Sequence, residues 1–468
     1  MVTKREVAPK KNKDAAGRGL VLAVVLCLIV LACLGVVIAG LVFKAGPLAS
    51  LGESPSATSS QTTQLSASDQ EQNASANTTA TTAKTSGKLA GATETTDANG
   101  IIHGTTKDGI SYLLWGRGSA GQQTDKVTLA ACGDQLGTTS DFPIAAEYGQ
   151  RSGTDYDFTP FYQEVAPFIQ QYDLRFINQE TVMAGGELSG YPVFNSPSAC
   201  AEAINNVGFN LVNFCSNHLY DRGTAGIENS LEIFAQYPQM LVSGSYSSAE
   251  DRSQVRMIER NGITFALLSY TCVDNWYNSS EAAPNDYNLA YAEKDRMETE
   301  IRRAQQVADV TIVYMHWGTE YTYEINDQQW DYAQFLADLD VDLVLGSHNH
   351  NVQPTKYITG ESGHVTPVVF GLSDFVSGWT LGNTIFSGIF TCDFARQADG
   401  SVAIQNLLWW PTIEWSDGGD VYVRRFCDMD QETVDASTRI IDIPESYYEN
   451  LREALDSCGM EIPIKWEK

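Results

Sequence analysis

The 468-residue sequence predicts an α/β fold. Three observations carry that prediction. Between residues 127 and 345, short apolar runs alternate with segments of helical spacing, the rhythm of a sheet covered by helices. The run 310–315 reads as a strand buried on both faces. Beyond Pro367 the texture changes to strands alone, which predicts a second, more antiparallel sheet.

The elements follow in order. Residues 127–132 are a short apolar run. Residues 161–172 read as a helix and 174–177 as the next strand. Residues 198–207 have helical spacing and stop at Gly208, suited to a C-cap. Residues 210–214 read as a strand, 225–237 as a helix and 264–270 as a strand. Residues 291–308 form a long amphipathic helical pattern. Strand 310–315, helix 328–338 and strand 342–345 complete the alternation. The later strands are 368–370, 385–394 and 402–409, with a last helix at 445–457.

The N-terminus sets the expected topology. Residues 1–18 carry Lys4, Arg5, Lys10, Lys11, Lys13 and Arg18 against Glu6 and Asp14. Residues 19–43 hold no charge. As a helix, 25 residues span about 37 Å, enough to cross a bilayer. A cleaved signal peptide has an apolar region of roughly 7–15 residues, shorter than this one. Val30-Leu31-Ala32-Cys33 loosely resembles a lipidation motif, but the apolar run continues beyond Cys33. The basic flank predicts a cytoplasmic N-terminus and an extracellular C-terminal part at the cell membrane. Residues 44–111 contain no Phe, Trp or Tyr, and Ser, Thr and Ala dominate 50–99. Such a stretch buries too little apolar surface to offset its ordering entropy, so it reads as a flexible linker.

The remainder suffices for a large core, placed at 126–394 with a C-terminal extension at 395–468. The formal charge of −28 excludes nucleic acid as a partner for the broad surface. Hydrophobic residues at 43% exclude wholesale disorder. Of nine cysteines, Cys132, Cys215 and Cys392 sit in apolar runs and read as core. Cys427 and Cys458 are candidates for a disulfide that staples the C-terminal tail.

The chemistry collects behind the strands, where open α/β sheets bind ligands. Gly133-Asp134 follows the first run and Asn178-Gln179-Glu180 the second. Ser216-Asn217-His218, then Asp221 and Gly223, follow the third. His316-Trp317-Gly318-Thr319-Glu320 and Gly346-Ser347-His348-Asn349-His350 follow the last two. Four of the six histidines lie in this set. Imidazole and carboxylate together are ligands for divalent transition metals. Singly the pieces are weak: Gly-Asp is an ordinary turn. In His348-X-His350, alternate residues of an extended segment share a face, so two imidazoles can converge. Five strand ends that each bring a carboxylate, amide or imidazole point to a metal site.

The order Gly133-Asp134, Asn178-Gln179-Glu180, Asn217-His218-Leu219-Tyr220-Asp221-Arg222-Gly223, His316-Trp317-Gly318-Thr319-Glu320-Tyr321 and Gly346-Ser347-His348-Asn349-His350-Asn351-Val352-Gln353-Pro354 resembles the CapA (PgsA) family. These are membrane-anchored bacterial proteins of poly-γ-glutamate capsule synthesis, similar in turn to calcineurin-like metallophosphoesterases. The resemblance covers roughly 126–394. It implies a four-layer α/β/β/α sandwich of metallophosphoesterase type with a metal site at its rim. Asp134, Glu180, Asn217, His316, His348 and His350 would be the metal ligands, for one or two divalent ions (Mn, Fe or Zn). His218 and Asp221 would be catalytic. Asn178, Arg222, Glu320 and Asp374 would bind substrate.

The chain also departs from the pattern. Metallophosphoesterases open with Asp-X-His, and Leu136 occupies the third position here. Glu180 stands where their second motif has a bridging Asp. Gly371-Leu372-Ser373-Asp374-Phe375 replaces the usual Ser-Leu-Gly-Asn-Phe. Trp317, Tyr321, Tyr323, Trp276, Tyr277 and Trp379 can line a groove or simply pack the sandwich edge. The segment 274–288 reads as a lid loop.

Two functions of different class fit. One is an extracytoplasmic metallohydrolase acting on an anionic capsule polymer or a phosphoester. The other is a non-catalytic accessory subunit of a membrane polymer-synthesis complex.

Overall fold

A computed structural model describes residues 87–117, 125–273, 275, 285, 287–379, 382–438 and 446–467. The expected cytoplasmic tail, the apolar run 19–43 and nearly all of the expected lid loop lie outside these residues. Among the described residues no helix is long and apolar enough to cross a membrane.

Two β-sheets dominate. The first runs in the order β1 (Thr93–Thr96), β2 (Ile102–Thr105), β3 (Ser111–Trp115), β8 (Val255–Arg260), β9 (Ile263–Thr271), β10 (Val310–His316), β11 (Leu343–Ser347), β13 (Val365–Gly371), β12 (Gln353–Thr359). The second runs β17 (Val421–Arg425), β16 (Val402–Ser416), β15 (Phe386–Arg396), β4 (Lys126–Gln135), β5 (Leu174–Gln179), β6 (Leu211–Asn213), β7 (Leu241–Ser243), with β14 (Asp374–Val376) paired to β4. Strands β4 to β7 are mutually parallel. So are β9, β10, β11 and β13. The fold is mixed α/β, with a parallel block in each sheet.

Side-chain alternation explains the layers. On β4, Val127, Leu129 and Ala131 join one core cluster, while Ala130 and Cys132 join another. On β10, Val310, Ile312 and Tyr314 enter the first of these, and Val313 and Met315 the second. The shared cluster lies between the sheets; Phe176 of β5 and Tyr314 of β10 meet across it at 5.6 Å. The other cluster packs helices 199–207 and 294–307 onto the outer faces. Every residue of β10 is buried, as a strand with parallel neighbours and both faces covered requires.

Local signals place the helix ends. Helix 199–207 stops at Gly208, whose φ of 92° suits glycine and closes the last turn. Helix 327–338 opens with a capping box between Asn326 and Gln329.

Five expectations need correction. The linker ends earlier than residue 111: Leu89, Ile102 and Ile110 are buried against Tyr112, Leu114 and Met257, so 87–111 is folded. Residues 395–468 are not an appendage, because β16 and β17 widen the second sheet and Trp409, Phe426 and Leu451 enter the inter-sheet core. The late strands do not build a sheet of their own. β13 joins the first sheet in parallel and β15 borders β4 in the second. Cys427 and Cys458 are not joined in a disulfide. The expected helix 161–172 is broken into a 3-10 turn at Thr159–Tyr162 and a short helix at Ala166–Ile169.

Candidate metal centre

The parallel blocks of the two sheets deliver their carboxyl ends to one place. Asp134 closes β4, and Gly133 before it lets Ser373 approach: a Cβ at 133 would collide with the Ser373 carbonyl, which accepts the Asp134 N–H at 2.9 Å. Glu180 follows β5, Asn217 and His218 follow β6, His316 closes β10, and His348 and His350 follow β11. His348 and His350 have φ of 103° and 55°. Left-handed backbone in non-glycine residues is uncommon and collects at functional sites.

Ligand atoms of Glu180, His316 and His348 lie within 4.8 Å of one another, and so do those of Asp134, Glu180 and His350. Glu180 belongs to both groups. Asn217 joins through its Oδ1, 2.8 Å from His316 Nε2. The structure thus brings the six expected ligands together, all of them buried.

Supporting residues fix them. Asn178 Nδ2 donates to Asp134 Oδ1 at 2.6 Å, and Ser347 Oγ donates to Asp134 Oδ2 at 2.6 Å. Asn213 Nδ2 donates to Asn178 Oδ1. Tyr314 OH lies 3.0 Å from His316 Nδ1. Asp374 Oδ1 lies 2.7 Å from His350 Nδ1. His218 Nδ1 lies 2.8 Å from Asp221 Oδ2, which also accepts the Phe194 N–H at 2.7 Å.

Electrostatics set the centre apart. Burial, with the Asp374 charge added, pushes Asp134 up to about 6. Burial and the neighbouring Asp134 and Asp374 carboxylates push Glu180 well above the ordinary range. Burial and the other imidazoles hold His316 and His348 well below theirs. Burial would lower His350 as well, but Asp374, with Asp134 and Glu320, more than offsets it and raises His350 to about 9.

The residues fit a divalent cation. Among the described residues, both buried Glu180 carboxylate oxygens meet no hydrogen-bond donor, and His348 Nδ1 and Asp374 Oδ2 have no hydrogen-bond partner. Buried polar atoms are ordinarily paired. The crowded carboxylates would give up their protons to a bound cation, and the two imidazoles are already held neutral, so the set supplies the donors a transition metal needs.

Three residues expected to bind substrate do other work. Asn178 is fully buried and spends both ends of its amide on Asp134 and Asn213. Asp374 is 2% exposed and orients His350. The Arg222 guanidinium bonds Ser189 and the Phe194 carbonyl and ties down the 184–195 loop. Glu320 alone is exposed at the rim. Leu136 is buried and brings no ligand. Of the aromatics, Trp317 is wholly buried, Tyr321 and Trp379 lie at the rim against His350, and Trp276 and Tyr277 lie outside the described residues. Sequence reading missed Asn213, Tyr314 and Ser347. Tyr314 had a signal, since it sits two residues before His316 on the same strand.

Comparison with known proteins agrees with the motif resemblance. Residues 128–379 match the family described as bacterial capsule synthesis protein PGA_cap. The chain is 28% identical over 181 residues to the PGA biosynthesis protein CapA of Bacillus subtilis, covering 38% of this chain and 46% of that one. It is 23% identical over 271 residues to the capsule biosynthesis protein CapA of Bacillus anthracis, covering 55% of this chain and 62% of the other. The match thus spans about half to three-fifths of these relatives. A likeness to the solved NAD nucleotidase of Haemophilus influenzae has 12% identity and a TM-score of 0.36, over 73% of this chain and 64% of that one. With the family match covering more than half of its length, the chain belongs to the bacterial capsule synthesis protein PGA_cap family.

Proposed function

We propose that this chain is a membrane-anchored, extracytoplasmic capsule-synthesis protein with a divalent-metal centre of hydrolase type. One observation carries the reading: among the described residues the buried Glu180 carboxylate meets no hydrogen-bond donor, and it is shared by the two ligand groups. Two sheets with helices packed outside support the α/β/β/α order expected of a metallophosphoesterase-type fold. The uncharged run 19–43 would serve as the anchor, and other membrane subunits of a capsule-synthesis complex would be the partners.

Asp134, Glu180 and His350 would hold one ion, and Glu180, His316, His348 and Asn217 another. Mn, Fe or Zn suits these donors. When bound, such an ion supplies Lewis acidity, acidifying water and polarising the bond under attack. The chain's own residues do the rest. Asp221 accepts from His218 Nδ1, which frees Nε2 to carry a proton to a leaving group. Phe194 packs its ring edge-to-face on His218 at 4.5 Å and limits the imidazole's freedom. The substrate would be an anionic capsule polymer or a phosphoester.

Leu136 favours a second reading. A buried leucine where a ligand is expected suits an accessory subunit that keeps the centre as scaffold. A hydrolysis assay separates the two. The full-length chain, loaded in turn with Mn, Fe and Zn, is offered p-nitrophenyl phosphate, bis(p-nitrophenyl) phosphate and poly-γ-glutamate. The hydrolase reading expects turnover of at least one, reduced about 10²–10⁴-fold in His218→Asn. A metal-loaded chain inert toward all three supports the scaffold.

A further inference from the structure

Beside the centre, three aromatic rings stand at the surface. Tyr191 is 74% exposed and Tyr321 46%; Trp379 is half-buried. Tyr321 and Trp379 stack on each other at 5.9 Å and 14°, and on His350 at 5.4 and 5.2 Å. Tyr191 meets Trp379 at 6.3 Å and 79°, so two ring planes form an open corner.

The platform is built, not incidental. Gly378, with φ of 63°, sets the chain direction into Trp379, and a Cβ there would collide with the Asp141 carboxylate. The Gly378 N–H donates to Glu414 at 3.2 Å. The 184–195 loop under Tyr191 is locked by the paired Ser189 and Asn195 main chains and by Arg222. Tyr321 takes a left-handed φ of 62°, held by its N–H to the Asn349 carbonyl at 2.8 Å. Rigid supports that hold two exposed rings and a half-buried third at the surface mark a binding surface.

The electrostatics narrow the ligand. Exposed Glu320, the chain neighbour of Tyr321, brings a carboxylate to this rim. This acidic rim repels anions and accepts from hydroxyl groups. A flat base stacks on one plane and meets the second edge-on. A chair-shaped ring has C–H groups for two faces and hydroxyls at its margin. We infer that Tyr191, Tyr321, Trp379 and Glu320 form a subsite for a neutral pyranose ring of a carbohydrate, adjoining the centre. As part of a phosphoester substrate, the sugar would place its neighbouring phosphate linkage over the ligand cluster, past the acidic rim; that much rests on the phosphoester reading proposed above.

Isothermal titration of the full-length chain tests it, using neutral tetrasaccharides of glucose, galactose and N-acetylglucosamine, with adenosine as the flat comparator. At least one tetrasaccharide should bind, roughly tenfold more weakly after Tyr191→Ala or Trp379→Ala. Tyr357→Ala, which removes an exposed ring on β12, should leave binding unchanged. No tetrasaccharide bound, binding that survives the double variant Tyr191→Ala/Trp379→Ala, or adenosine alone held by these rings would each overturn the subsite. Sugar binding that depends on Tyr191 in a chain that takes up no metal would leave the subsite standing and remove the metal centre instead.

Discussion

The carboxylate of Asp374 and the imidazole of His350 are 2.7 Å apart, the first 2% exposed and the second equally buried. That contact points the other ring nitrogen of His350 away from Asp374. It also makes His350 more basic, a carboxylate–histidine arrangement that fixes a ligand's orientation.

The pair has a pH signature in the metal-free chain. An unfolded histidine titrates near about 6.5, whereas His350 is raised to about 9. A raised pKa means that the native state holds the proton more tightly. The contribution is therefore complete below about pH 6.5 and is lost as pH rises through about 9. Asp374→Asn should flatten the fall of unfolding free energy between those limits, measured by urea denaturation in chelator. An unchanged slope would show that the pair does not control this titration.

Glu180→Gln should separate stability from binding. The neutral amide removes a carboxyl that burial, with Asp134 and Asp374 added, makes costly to ionise in the folded chain, so the metal-free chain should gain about 1 kcal/mol, a rise of about 2–4 °C in Tm. The same variant should lose the Tm increase that added Mn gives the wild type. A variant destabilised without metal, or still stabilised by Mn, contradicts this assignment.

Asn178 acts through Asp134. Asn178→Ala removes the 2.6 Å bond to Oδ1 and should weaken metal binding roughly 10–100-fold. Competition with a chromogenic chelator reads the constant. Unchanged affinity would leave Asn178 a purely structural role.

The C-terminal strands belong to the core. Trp409 is fully buried and lies across Gly388 of β15. Trp409→Ala should cost about 3–5 kcal/mol, and a chain ending at residue 394 should not fold. Cooperative unfolding of that truncated chain would contradict the architecture.

The contrast between what the sequence reveals and conceals is physical. β10 and β11 are wholly buried and mostly apolar, and the chemistry sits at and just behind their carboxyl ends, so His316, His348 and His350 stand out by position. β1 is Thr-Glu-Thr-Thr and fully exposed; nothing in its composition marks a strand, and the linker seemed to run on. Asn178 and Asp374 looked like substrate contacts because their motifs lie beside the ligands. Their partners, Asn213 and His350, are 35 and 24 residues away in sequence, and only the fold brings them within bonding distance. The placement of β13 in one sheet and β15 in the other depends on pairing with β11 and β4, which apolar pattern alone leaves open.

The metal centre is the central claim, and elemental analysis of the full-length chain after exhaustive dialysis tests it most directly. About one or two Mn, Fe or Zn ions per chain are expected, absent from a folded His348→Ala/His350→Ala double variant. A wild-type chain that is folded, carries no metal and takes up none when Mn, Fe or Zn is added would contradict the account.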